Sequence, residues 1–160
     1  MKIVRIVALI TGGLVAGSMF GIWRGYNPSA LSAAASVEQQ QQAIRGLNVL
    51  LPILGAVTIL LTMAIAAHAR QKRLALFTFV VAALLFTVSG IVTRVHNQPI
   101  NSIVMHWDAR TPPPEWPGMR ETWWHWHLIR TFTGVTGFFL LASGVVIWPA
   151  SDGAGKEHHP

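Results

Sequence analysis

His127 and Arg130 stand one helical turn apart, where a polar segment gives way to a long apolar run. At i and i+3 they are neighbours on a helix, while Trp123 shares a face with His127, and Trp126 with Arg130, by i,i+4 spacing. An arginine at the start of an apolar run lies at or just inside a membrane interface. It is a functional group if it faces the protein, and a headgroup anchor if it snorkels to lipid. Residues 94–130 hold four of the seven histidines and five of the seven tryptophans, so chemistry is to be sought there first.

Two chemistries follow from the residue types alone. One is a metal or haem site built from His96, His106, His125 and His127 with Asp108 or Glu121. Against it, His125 and His127 are two apart and point about 200° from each other on a helix, and no H-E-x-x-H pattern is present. The other is a non-catalytic network in which Asn97, His127 and Arg130 tie an outer loop onto a helical bundle. Trp107, Trp116, Trp123, Trp124 and Trp126 also suit the aromatic belt that anchors proteins at a membrane surface.

The elements that must position these residues are visible as stretches without Asp, Glu, Lys or Arg, at 6–23, 46–67, 74–93 and 131–150. A hydrocarbon core of roughly 30 Å needs about 20 apolar helical residues, and each stretch meets or approaches that length. The expected fold is all-α: an integral membrane four-helix bundle, one domain over 1–150, with spans near 3–23, 46–68, 74–95 and 128–148. A long ordered loop, 96–122, is expected to cap the outer end, and 151–160, with His158 and His159, reads as a disordered tail. The composition agrees, with 52% hydrophobic and only 11% charged residues, against about a quarter charged in soluble domains.

The net charge of +6 is scattered at span ends and forms no basic face. That excludes nucleic acid and leaves the lipid bilayer, with its anionic headgroups, as the partner. The absence of cysteine excludes disulfides, thiolate metal sites and haem attached through Cys. Gly13, Gly17, Gly21 and Gly25 stack by fours on one face of the first span, where another helix or a second copy of the chain can approach closely. Asn27-Pro28 ends that span, and Pro52 is placed to kink the second. The run 38–42, Glu followed by four Gln, reads as a loop or the wet first turns of the second helix, with no chemistry in it. Arg70, Lys72 and Arg73 crowd the short 68–73 hairpin, which assigns it to the cytoplasm and both termini with it, in the cell membrane.

The strings His96-Asn97-Gln98-Pro99-Ile100-Asn101 and Trp107-Asp108, the proline-rich turn into Glu115-Trp116, and Trp123-x3-His127-x2-Arg130-Thr131 together resemble the anthrone oxygenase-like family. These are small four-span membrane proteins, long filed as a domain of unknown function. The resemblance covers nearly the whole chain in architecture, and residues 97–131 in motif. It implies oxidation of an apolar polycyclic aromatic by dioxygen, with no metal or flavin. In that scheme His127 is the base, Arg130 stabilises the oxyanion, and Asn97 and Asn101 donate hydrogen bonds. Trp123 or Trp126 stacks on the rings, and His96, Trp107 and Asp108 complete the substrate contacts.

Overall fold

The computed structural model describes residues 1–26 and 31–148. Its helices are α1 (Lys2–Gly25), α2 (Ala33–Leu47), α3 (Leu50–His68), α4 (Arg73–Val92), α5 (Gln98–Val104) and α6 (Trp116–Ile147), with a π-helical turn at Thr93–Asn97 between α4 and α5. No strand occurs among the described residues. Asn27-Pro28 and the 151–160 tail lie outside them.

Lys2–Gly25, Leu50–His68, Arg73–Val104 and Trp116–Ile147 are each long and apolar enough to cross a membrane. The chain is a multi-pass membrane protein. The four long helices run alternately up and down, in the ring order α1, α3, α4, α6. Ile3, Ile6, Leu60, Phe77, Leu84, Phe139 and Val146 point away from the bundle and stay exposed. So wide an apolar surface marks the side that meets lipid. At one end the Arg5 guanidinium hydrogen-bonds the Trp148 carbonyl, so both ends of the described chain meet beside the α3–α4 hairpin. α2, α5 and residues 105–115 gather at the other end.

Close packing comes from small residues. A Cβ on Gly137 would stand 3.2 Å from the Ala82 carbonyl oxygen, and one on Gly144 would stand 2.7 Å from Phe79. Phe79, Ala82, Phe86, Ile65 and Leu141 build the core where α6 closes on α4 and α3. Two buried hydroxyls join α3 to α1: Thr58 Oγ1 donates to Thr11 Oγ1 at 2.9 Å, and Thr11 Oγ1 to the Val7 carbonyl at 3.0 Å. Of the expected glycine row only Gly13 meets another helix within the chain, where an added Cβ would stand 3.4 Å from the Phe138 ring. Side chains on Gly17, Gly21 or Gly25 would meet nothing within 4 Å, whereas Gly12 faces Thr58 and Phe138. From Gly17 onward the row leaves the packed face, one position round from Gly12.

Three further departures from the sequence reading bear on the site. The Gln run is neither loop nor the start of the second span, but part of α2, a separate amphipathic helix. Ser32 Oγ caps it by accepting from Ala35 N–H at 3.2 Å. Its buried face carries Ser36, Val37, Gln40, Gln41 and Ile44, with Val37 and Ile44 packed on Val104 and Trp116. Pro52 does not kink a continuous span. It occupies the first turn of α3, where its missing N–H has no helical partner to lose. The third span continues through the π-turn to Val104, and α6 begins at Trp116, so only 105–115 remain irregular. Pro99 explains the π-turn, because its ring would clash with the carbonyl four residues back and has no N–H to offer it. The wider turn instead pairs Gln98 N–H with the Thr93 carbonyl.

Candidate functional site

α6 carries His127 and Arg130 on its inward face, and both are buried, at 0% and 7% exposure. The Arg130 Nε–H donates to His127 Nδ1 at 3.1 Å, and Nη1 reaches Thr93 Oγ1 at 3.4 Å. No carboxylate pairs with Arg130 among the described residues. Trp123 lies flat against His127, with ring centroids 5.0 Å apart and planes 4° from parallel. The guanidinium carbon of Arg130 is 5.7 Å from the Trp123 ring centre. Thr131 Oγ1 is 3.4 Å from His127 Nε2, and Met19 of α1 packs on α6 beside it at Gly134. His127 is therefore enclosed between α1 and α6, behind Trp123 and Arg130.

The π-turn and α5 supply the asparagines. Asn97, fully buried, donates from Nδ2 to the Trp123 carbonyl at 3.0 Å. Asn101 Oδ1 accepts from Trp123 Nε1 at 2.8 Å, and its Nδ2 donates to Asn48 Oδ1 at 2.9 Å. These bonds fix the Trp123 indole from both its backbone and its ring. The π-turn matters here because it resets the helical phase, so that Thr93, Asn97 and Asn101 all face α6.

A cavity of about 410 Å³ opens beside this cluster, between the last turns of α1, α2 and the start of α3. Arg130, Trp123, Asn101, Tyr26, Gln40 and Asn48 are among its walls. Its size suits a small flat ligand. A second cavity, about 210 Å³, lies deeper between α3 and α4, and Arg130, Thr93, Leu51 and Pro52 line both. Tyr26, packed edge-on to Trp123, donates to the Ser36 carbonyl at 3.1 Å. Burial pushes its phenol up from 10.0 to about 12, with Arg120 opposing weakly.

Of the residues expected at the site, His127, Arg130, Asn97, Asn101 and Trp123 come together. Arg130, Asn101 and Trp123 border the cavity, while Asn97 and His127 stand behind it. His96 and Trp126 stack on each other, 3.5 Å between centroids and 6° from parallel, outside the cavity wall. Trp107 and Asp108 lie elsewhere. Trp107 packs under α2, where its carbonyl accepts from Gln41 at 3.0 Å. The Asp108 carboxylate closes a turn onto Arg110 N–H and Thr111. No three His, Asp or Glu side chains gather in metal-binding geometry among the described residues. The α1 and α2 walls, with Tyr26, Gln40 and Asn48, were not expected. Gln40 and Gln41 face inward, and the detectable signal was the spacing 36, 37, 40, 41, 44 on one helical face.

A family model described as anthrone oxygenase matches residues 40–140, well over half of the chain. The match contains every clustered residue named above and leaves out the α1 wall of the cavity. No curated protein and no solved structure matches.

Proposed function

We propose a function from one premise: the chain belongs to the anthrone oxygenase family. The cavity is where a flat, oxygen-bearing aromatic is oxidised by dioxygen. Arg130 carries this reading. It is 7% exposed, borders the cavity and has no acidic partner among the described residues. A guanidinium withdrawn from water without a counter-ion is costly to keep. An anionic ligand oxygen supplies the charge that is missing. Trp123 and Tyr26 add aromatic walls suited to fused rings.

The chemistry follows from an anthrone's acidic methylene, which lies across the central ring from a carbonyl. Loss of the methylene proton moves charge onto the carbonyl oxygen, where Arg130 holds it. The electron-rich anion passes an electron to dioxygen directly, so the scheme calls for no metal or flavin. Overall the methylene becomes a carbonyl, one oxygen atom is retained, and the other leaves as water with the two hydrogens. His127 is the base, by exchange. When the guanidinium turns onto the substrate oxygen, the Nδ1 lone pair it had occupied is released to take the proton. Asn97 and Asn101 orient the site through Trp123.

The reading includes an orientation. The cationic hairpin and both termini face the cytoplasm of the cell membrane, and the cavity opens near the opposite face. Oxygen uptake by the purified protein in lipid nanodiscs, with anthrone and a panel of reduced quinonoid phenols, is the test. Uptake no faster than empty nanodiscs across the panel would sink the oxidase reading. One observation favours a second reading: Asn97 Nδ2 and both polar atoms of the Asn101 amide spend their hydrogen bonds on Trp123 and Asn48, within the protein. On that reading the network only ties α5 to α6, and His127→Ala and Arg130→Lys collapse the protein instead of stopping a reaction.

A further inference from the structure

The amide of Gln40 is a polar group of the cavity that this chemistry leaves unused. Gln40 is 5% exposed and lines the cavity from α2, while Arg130 lines it from α6. Its Nε2 is buried and has no hydrogen-bond partner among the described residues. The next residue shows what a structural glutamine does in the same helix. Gln41 Nε2 donates to the Val104 carbonyl at 2.9 Å and to the Trp107 carbonyl at 3.0 Å, joining α2 to α5. Gln40 Nε2 makes no such bond among the described residues. A buried amide N–H without an acceptor destabilises the fold that holds it. It also rewards a ligand that brings an acceptor into the cavity.

We propose that Gln40 is a second recognition point of the cavity, donating its amide N–H to a neutral oxygen on the far side of the ligand from the oxygen held by Arg130. This rests on the reading of the cavity as an aromatic oxidation site. The two donors differ in kind. A guanidinium favours an anionic oxygen, whereas a neutral carboxamide suits a carbonyl or phenol oxygen without favouring charge. Between them the walls are largely apolar, with Trp123, Ile22, Ile44, Leu47, Leu51 and Pro52. The ligand that fits is a rigid aromatic with oxygen at both ends of its short axis. An anthrone held by Arg130 carries its methylene at the Gln40 end, so this donor bonds the oxygen gained there in the oxidation and favours the quinone over the compound that lacks it.

Anthraquinone, with oxygens at both ends, and anthrone, with one, form the probe pair. Each is titrated anaerobically into the full chain in nanodiscs and followed by tryptophan quenching. Gln40→Leu is expected to weaken anthraquinone binding about tenfold, the worth of one neutral hydrogen bond, and to leave anthrone binding within twofold. Gln40→Met, which keeps the length of the side chain, repeats the measurement if the leucine variant folds poorly. Equal weakening of both probes, or of neither, overturns the assignment. Oxygen uptake by the wild-type protein is read separately. Turnover with unaltered binding in the Gln40 variants removes Gln40 and leaves the oxidation standing. Selective weakening without turnover removes the oxidation and leaves the recognition point. If wild-type protein quenches with neither probe, both fall.

Discussion

The Arg130 guanidinium donates to the His127 ring, Nε to Nδ1 at 3.1 Å, so the imidazole offers it a lone pair and not a proton. The proton of the neutral ring then sits on Nε2, on the side of Thr131. One residue shields the other's basic nitrogen until something takes the guanidinium away.

His127→Gln separates the two roles this bond permits. Glutamine still offers Arg130 an acceptor but cannot take a substrate proton. If His127 is the base, kcat for oxygen uptake falls about 100-fold or more, with melting in detergent close to wild type. A rate within threefold of wild type leaves His127 as a support for Arg130 only.

Arg130→Lys keeps the charge and loses the planar fork and the Nε–H that reaches His127. The expected loss in kcat is about 100- to 1000-fold, as when a donor to a developing oxyanion is removed. Turnover at the wild-type rate in a folded variant would take the oxyanion away from Arg130.

Tyr26 is the sole tyrosine of the chain, so tyrosinate absorbance near 295 nm reports it alone. Its midpoint in the folded protein is expected near pH 12. Because its folded pKa is raised above the unfolded 10.0, its contribution to stability is complete below pH 10 and fades as pH climbs toward 12. Tyr26→Phe should flatten that part of the stability profile. A midpoint near 10 would show the phenol open to water.

Gly137→Val sets a branched side chain against the Ala82 carbonyl and Phe86, where even a Cβ is tight. A loss of about 1–3 kcal/mol is expected in reversible unfolding. Gly17→Val, on the open face of α1, is the comparison, and near-equal losses in the two would discredit the packing account.

Reporter fusions after residues 71 and 110 test the orientation. A cytoplasmic signal at 71 and an external one at 110 are expected. The reverse pair of signals would turn the protein over in the membrane.

The four spans were legible because a bilayer demands length without charge, and little else in a chain of this size produces four such windows. The His127–Arg130 pair was legible because helical spacing alone makes them neighbours. α2 was not, because its inner face gains apolar partners only when Val104 and Trp116 arrive from more than fifty residues away. The expected loop over 96–122 hid the continuation of the third span, because a proline normally stops an α-helix and the π-turn that absorbs Pro99 leaves no compositional mark. Trp107 and Asp108 shared a loop with the site residues without sharing their surroundings. The cavity itself joins α1, α2, α3, α5 and α6, a juxtaposition that no local pattern encodes.

α6 has 32 residues, or about 48 Å of helix, against a hydrocarbon layer of roughly 30 Å. With its C-terminal end at one boundary of that layer, the opposite boundary falls close to His127 and Arg130. The apolar aromatic proposed as the ligand partitions into the lipid phase at that boundary, so the effective concentration to be expected is a mole fraction in the bilayer and not a molarity in the buffer. Adding inert lipid or detergent at fixed total substrate should then slow the protein by two-dimensional dilution alone. Michaelis constants measured at different lipid-to-substrate ratios will agree only when expressed per unit of membrane surface.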